Sequence, residues 1–149
     1  MADKTPQKKI LVIHGPNLNM LGKREPHIYG HQSLDEIDGQ LIEAGKQLGI
    51  DVEAFQSNHE GAIVDRIQQA IGNCHGIIIN PAAYTHTSVA IRDAIAMLDI
   101  PVIEIHLSNI HNRESFRHHS MIADIVAARI AGFGSHGYIL GLEGLAKIL

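Results

Sequence analysis

Apolar positions in this chain come in short runs separated by polar, glycine-rich breaks. The first run is Ile10-Leu11-Val12-Ile13, four branched aliphatics in a row. An uninterrupted run of that kind suits a strand covered on both faces, as in a parallel sheet. It stops at Gly15-Pro16, a turn signal, and the next dozen residues are too irregular for a helix. Ser33-Leu34-Asp35-Glu36 then reads as a capping box, with the hydroxyl at N-cap and Glu at N3. Leu34, Ile37, Leu41, Ala44 and Leu48 follow at alternating spacings of three and four, the apolar face of an amphipathic helix. Gly39 and Gly45 each weaken that helix by about 1 kcal/mol, and Gly49 ends it. Residues 51–56 alternate as a second strand, and Ser57-x-x-Glu60 reads as another capping box opening a helix over 62–71. Gly72-Asn73 stops that helix. A third strand over 76–79 ends at Asn80-Pro81, and a helix over 88–98 and a fourth strand over 101–105 follow. The polar stretch 108–120 has a short helical turn expected at 114–118. Residues 122–131 have a helical period, but a Gly-rich turn follows, which favours a strand in the second half. Residues 135–149 close the chain as a helix.

β and α alternate five times with no repeat and no linker, the pattern of a doubly wound α/β fold with a parallel sheet. Five strands at this length predict the flavodoxin-like order 2-1-3-4-5. With 149 residues the chain is expected to be one domain, 9–149, behind a disordered lead-in over 1–8. No apolar stretch approaches a membrane span, and the polar, basic start lacks the apolar core of a secretory signal. The single cysteine, Cys74, excludes an intramolecular disulfide and fits a cytoplasmic protein; at the start of an apolar run it reads as a small buried hydrophobe. A net charge of −4 argues against general nucleic-acid binding.

The polar clusters follow strands 1, 3 and 4, at the edge of the sheet where such folds bind ligands. The first holds Asn17, Asn19, Lys23, Arg24, Glu25, His27 and Tyr29, and reads equally as an active-site loop or a solvated one. A free tyrosine is about one part in a thousand ionised at neutral pH. Lowering its pKa by two to three units takes roughly 3–4 kcal/mol, and one cation at about 4 Å in an effective dielectric of 20 supplies about 4. Arg24 beside Tyr29 is therefore enough in magnitude to make that tyrosine a base, although the residues alone favour an exposed loop tyrosine. The second cluster, Asn80 to Ser88 (NPAAYTHTS), joins small residues to an amide, an imidazole and hydroxyls, a set suited to a polyhydroxylated molecule or to plain capping of the next helix. In the third, Glu104 and His106 are two apart on a strand and share a face. A carboxylate there orients the imidazole and favours its charged form, which makes the pair credible as a general acid or as a structural contact. Arg113 and Arg117, four apart, face one way if that turn is helical, and could hold a carboxylate together with backbone amides.

Two further patterns carry less. Gly132-Phe133-Gly134-Ser135-His136-Gly137 matches G-x-G-x-x-G, but the chain ends before the strand and acidic residue that a dinucleotide site needs. Its glycines are expected to serve a tight turn and close helix packing. His106, His111, His118 and His119 have neither an H-E-x-x-H pattern nor a cysteine pair beside them, so no metal is expected.

GPNLNMLGKREPHIYG, NPAAYTHTS, IEIHLSNIHNRESFRHHS and AGFGSHGY, in that order and spacing, resemble the type II 3-dehydroquinate dehydratase family from about Lys8 to the C-terminus. The resemblance implies dehydration of 3-dehydroquinate to 3-dehydroshikimate by anti elimination through an enolate, without metal, cofactor or Schiff-base lysine. It implies Tyr29 as the base, Arg24 as the group that keeps it ionised and stabilises the transition state, and Asn17 as holder of a water against the enolate. His106, oriented by Glu104, protonates the departing hydroxyl. Asn80, Leu107 and Ser108 take the substrate carboxylate, His86 and Arg117 its ring hydroxyls, and Arg113 supports the tyrosine side. It also implies a dodecamer of trimers in which Asp93 reaches the neighbour's site. Helical spacing alone puts Asp93 about 200° from buried Ile91, a solvated position. The readings set against the resemblance are a flavodoxin-like FMN or nucleotide module and a non-catalytic regulator that binds a small acid.

Overall fold

The computed structural model describes residues 7–149 apart from Arg24 and Gly30; at Pro26 and Tyr29 it describes the backbone only. Five parallel strands form one sheet in the order β2-β1-β3-β4-β5: β1 Lys8–His14, β2 Ile50–Gln56, β3 Gly76–Asn80, β4 Val102–His106 and β5 Ala128–Ala131. Helices α1 Pro26–Tyr29, α2 Leu34–Gln47, α3 Glu60–Gln69, α4 Val89–Ala96 and α5 His136–Ile148 connect and cover them. The order is the one the alternation predicts.

Strand periodicity of two sorts the core into two layers. Ile10, Val12, Ile78, Ile103 and Ile105 meet the apolar faces of α2 and α5, including Leu41, Tyr138 and Leu142. Leu11, Ile13, Ile77, Ile79 and Val102 meet Ile63 and Ile67 of α3 and Ile91 and Ile95 of α4. β1 and β3 are buried on both faces over their apolar runs, as continuous aliphatic sequence requires. Half-buried Cys74 packs on the second layer, and burial pushes its thiol up.

Several boundaries differ from the sequence reading. β1 begins at Lys8, inside the expected lead-in, whose residues 1–6 lie outside the described ones. The first loop contains a 3-10 turn, Leu18–Met20, and the four-residue α1 that Pro26 opens, the helix position proline tolerates best. Ser33 caps α2 as its position suggests, its Oγ accepting from Glu36 N at 3.2 Å. Ser57 does not cap α3: its Oγ accepts from His59 N at 2.9 Å, and α3 starts at Glu60 with His59 as N-cap. The Ser57 amide still donates to the His14 carbonyl at 3.1 Å, so the chain is tied to β1 there and must turn before a helix can begin. Ser88 caps α4 as its position suggests, accepting from Ile91 N at 2.9 Å. Residues 122–131 resolve into β5 in their second half only.

Candidate active site

The loops after β1, β3 and β4 converge on one cleft at the carboxyl edge of the sheet. Pro16, Asn17 and Leu18 form one wall, Asn80, Ala82 and His86 a second, and His106, Leu107, Ser108, Arg113 and Arg117 the third. Eight expected site residues therefore line one cavity: Asn17, Asn80, His86, His106, Leu107, Ser108, Arg113 and Arg117. Arg24 lies outside the described residues, and so does the Tyr29 side chain. His27 and Ile28, in the same short helix as Tyr29, line an adjoining hollow with Leu107, Ser108 and Arg113, which brings α1 beside the cleft. Asp93 does not line the cleft; it is exposed on α4, as helical spacing alone suggests.

β4 carries Glu104 and His106. Glu104 and His106 project from the same face, and His106 Nε2 is hydrogen-bonded to Glu104 Oε2. Glu104 also accepts from Ser120 Oγ at 3.1 Å and from Arg129 Nε at 3.0 Å and Nη2 at 3.3 Å. Burial pushes its carboxyl up, but the His106 bond and the Arg129 guanidinium outweigh that and hold it below its ordinary value. An ionised carboxylate only accepts, so Nε2 of His106 carries hydrogen and Nδ1 is the ring atom left for chemistry.

His86 is set differently. Its Nδ1 lies 2.7 Å from the His119 carbonyl, which can only accept, so Nδ1 carries the hydrogen. Burial lowers its pKa, and a neutral ring with Nδ1–H presents Nε2 as an acceptor, suited to a ligand hydroxyl. Arg113 donates to Ser108 Oγ at 3.3 Å, and Arg117 Nε to Glu114 Oε2 at 2.9 Å. The turn expected at 114–118 forms as a 3-10 turn, Ser115–Arg117, flanked by Glu114 and His118. Arg113 lies before it in extended backbone, after the 3-10 turn Ile110–Asn112, so the two arginines do not share one helix. Both arginines still line the cleft, in its third wall. The AGFGS segment supports this same wall. Gly132 and Gly134 adopt φ of 97° and 60°, and their amides donate to the carbonyls of His106 and Leu107 at 3.2 and 2.9 Å. The loop therefore pins the backbone that carries His106, Leu107 and Ser108, beyond the tight turn its glycines predict.

Supporting residues escape the sequence reading. Asn58 accepts from the Asn17 amide at 2.9 Å and holds the first loop. Arg129 and Ser120 reach Glu104, and only strand order reveals that Glu104 and Arg129 are register neighbours. Among the described residues no group of three His, Cys, Asp or Glu is placed to hold a metal, and no helix is long and apolar enough to cross a membrane.

The family model for dehydroquinase class II matches residues 8–146. A curated 3-dehydroquinate dehydratase of Geotalea daltonii is 60% identical over 137 residues, 92% of this chain and 95% of the relative. A catabolic 3-dehydroquinase of Aspergillus clavatus is 58% identical over 139 residues, 93% of each. The crystal structure of a type II dehydroquinase from Propionibacterium acnes superposes with a TM-score of 0.91 at 48% identity, covering 94% of this chain and 97% of that one.

Proposed function

This chain belongs to the class II dehydroquinase family, and from that premise we propose how its residues divide the work. The activity is dehydration of 3-dehydroquinate, a carbon–oxygen lyase reaction. Loss of a β-hydroxyl through an enolate needs a base, a stabiliser for the oxyanion and an acid. Tyr29 as phenolate removes the proton α to the ketone, and Arg24 keeps it ionised. Asn17 holds a water against the enolate oxygen. The enolate then collapses to the conjugated enone as the C–O bond breaks, and His106 protonates the departing hydroxyl to water. Asn80, Ser108 Oγ and the Leu107–Ser108 backbone take the substrate carboxylate. His86 and Arg117 hold the ring hydroxyls, and Arg113 supports the tyrosine side. The observation that carries this reading is the buried Glu104–His106 pair, with His106 facing a cleft that two arginines also line. No step calls for a metal or a cofactor.

Residues 9–149 act as one catalytic domain in the cytoplasm, assembled as a dodecamer of trimers. Support for assembly lies on α4, where Val89 and Met97, four residues either side of Asp93, are 53% and 55% exposed. The step serves either aromatic-ring biosynthesis or quinate breakdown. The test is to add 3-dehydroquinate to the purified chain and follow the absorbance of the enone product. Turnover that is lost in His106→Ala is the expected result. Tight binding without turnover, or a flavin spectrum on the purified protein, would point to the regulator or to the FMN module instead.

A further inference from the structure

A second buried polar cluster lies on the other face of the sheet from Glu104. His14 ends β1, Asn80 ends β3, and the two are register partners. Both project toward α2 and α5. His14 and Tyr138 of α5 have no exposure at all, while Asp38 of α2 keeps 22% of its side chain in solvent. Asn80 Nδ2 is 3.2 Å from Tyr138 Oη, Tyr138 Oη is 2.9 Å from His14 Nδ1, and His14 Nε2 is 2.7 Å from Asp38 Oδ1.

Donor accounting gives this row one direction. The Ala82 amide donates to Asn80 Oδ1 at 3.1 Å, which fixes the oxygen end of that amide and leaves Nδ2 to donate. Tyr138 Oη accepts from it and has one hydrogen to give. Asp38 accepts, so His14 Nε2 carries the hydrogen and Nδ1 offers its lone pair to the tyrosine. Each donor is used once, and the row ends on a carboxylate at the surface. Burial raises the Tyr138 phenol well above its ordinary value, so it stays a hydroxyl and a donor. A doubly protonated His14 would leave the buried tyrosine hydrogen with no acceptor in this row.

We propose that Tyr138, His14 and Asp38 are positioning residues for Asn80, holding its amide so that the second Nδ2 hydrogen is a fixed donor to the anionic group of the substrate. A rotated amide would turn its carbonyl toward that anion and repel it. The inference rests on the reading that Asn80 holds the substrate, and the experiment separates the two. Steady-state kinetics with 3-dehydroquinate on Tyr138→Phe, Asn80→Ala and the double variant read the coupling. Tyr138→Phe is expected to raise KM on the order of tenfold, the scale of a weakened hydrogen bond to a charged group, with kcat little changed. In the Asn80→Ala background the same substitution is expected to add nothing. A wild-type KM in Tyr138→Phe, or an equal rise in both backgrounds, overturns the proposal. An unchanged KM in Asn80→Ala sinks the reading of Asn80 itself. Should Tyr138→Phe not fold, Asp38 gives the same answer from the half-buried end. Asp38→Ala is expected to raise KM and Asp38→Asn, which keeps an accepting oxygen, to restore it; a wild-type KM in Asp38→Ala overturns the row.

Discussion

Glu104 is a carboxylate with no exposure to solvent, and it stays ionised because three side chains converge on it: His106, Ser120 and Arg129. Its carboxyl sits below its ordinary value near 4.5 when folded. A depressed carboxyl stabilises the fold at pH above its unfolded value, and that stability is lost as pH falls through the folded pKa. Glu104→Gln is thus expected to lower Tm at neutral pH, by an amount that shrinks as pH falls below about 4.5. A gap that stays constant across a pH series of melting curves would mean the charge is not what matters. The same variant leaves His106 without its ionised partner, and kcat is expected to fall by roughly tenfold to a hundredfold, part of what a general acid supplies. Tyr29 is tested directly. Tyr29→Phe removes the hydroxyl proposed as the base and keeps the ring, so kcat should fall by about 10²–10⁴ while a product-like ligand still binds in calorimetry. Near-wild-type turnover would place the base elsewhere.

At the level of elements, the strand ends do most to shape the site. β1 and β3 end side by side, and the Gly15 amide donates to the Asn80 carbonyl at 2.8 Å. A Cβ built on Gly15 would stand 2.4 Å from the Pro81 carbonyl oxygen, which is backbone and cannot step aside. Gly15→Ala is therefore expected to cost about 1–3 kcal/mol, the range for overpacking a tight region, and to raise KM through displaced Asn80. Urea unfolding at wild-type stability would show that the two loops have slack. The helix that opens on Ser33 was legible because cap, period and glycine stop all agree. Ser57-x-x-Glu60 carries the same cap signature and fails, because the β1 contact that delays α3 comes from a residue more than forty positions away. Arg113 and Arg117 line the cleft without sharing a helix, because the turn expected at 114–118 forms as 3-10 over Ser115–Arg117 and leaves Arg113 extended before it. In that loop local periodicity is a poor guide, since 3-10 turns and side-chain bonds set the path.

Assembly belongs to the whole molecule. Asp93 lies outside the cleft of its own chain, on an exposed face of α4 between exposed Val89 and Met97. If trimers form through that face, Asp93→Ala should raise KM without lowering the Tm of the protomer, and dissociated protomers should be nearly inactive. Gel filtration coupled to assay is the check, and a folded monomer with full kcat/KM would remove the neighbour from the site. Sequence by itself determined the five-fold alternation of strand and helix, and that the central strands lie between two helical layers, because uninterrupted aliphatic runs such as those of β1 and β3 need cover on both faces. It also determined which loops share an edge, because every strand in a parallel sheet ends on the same side, and it marked the Glu104–His106 pair, since residues two apart on a strand share a face. Only tertiary structure decided what holds these groups in place. Arg129 reaches Glu104 because β5 lies beside β4, and Tyr138, nearly sixty residues from Asn80, meets it because α5 folds back across β3. Such partners carry no local spacing, so their chemistry exists only once the sheet has brought distant strands and helices together.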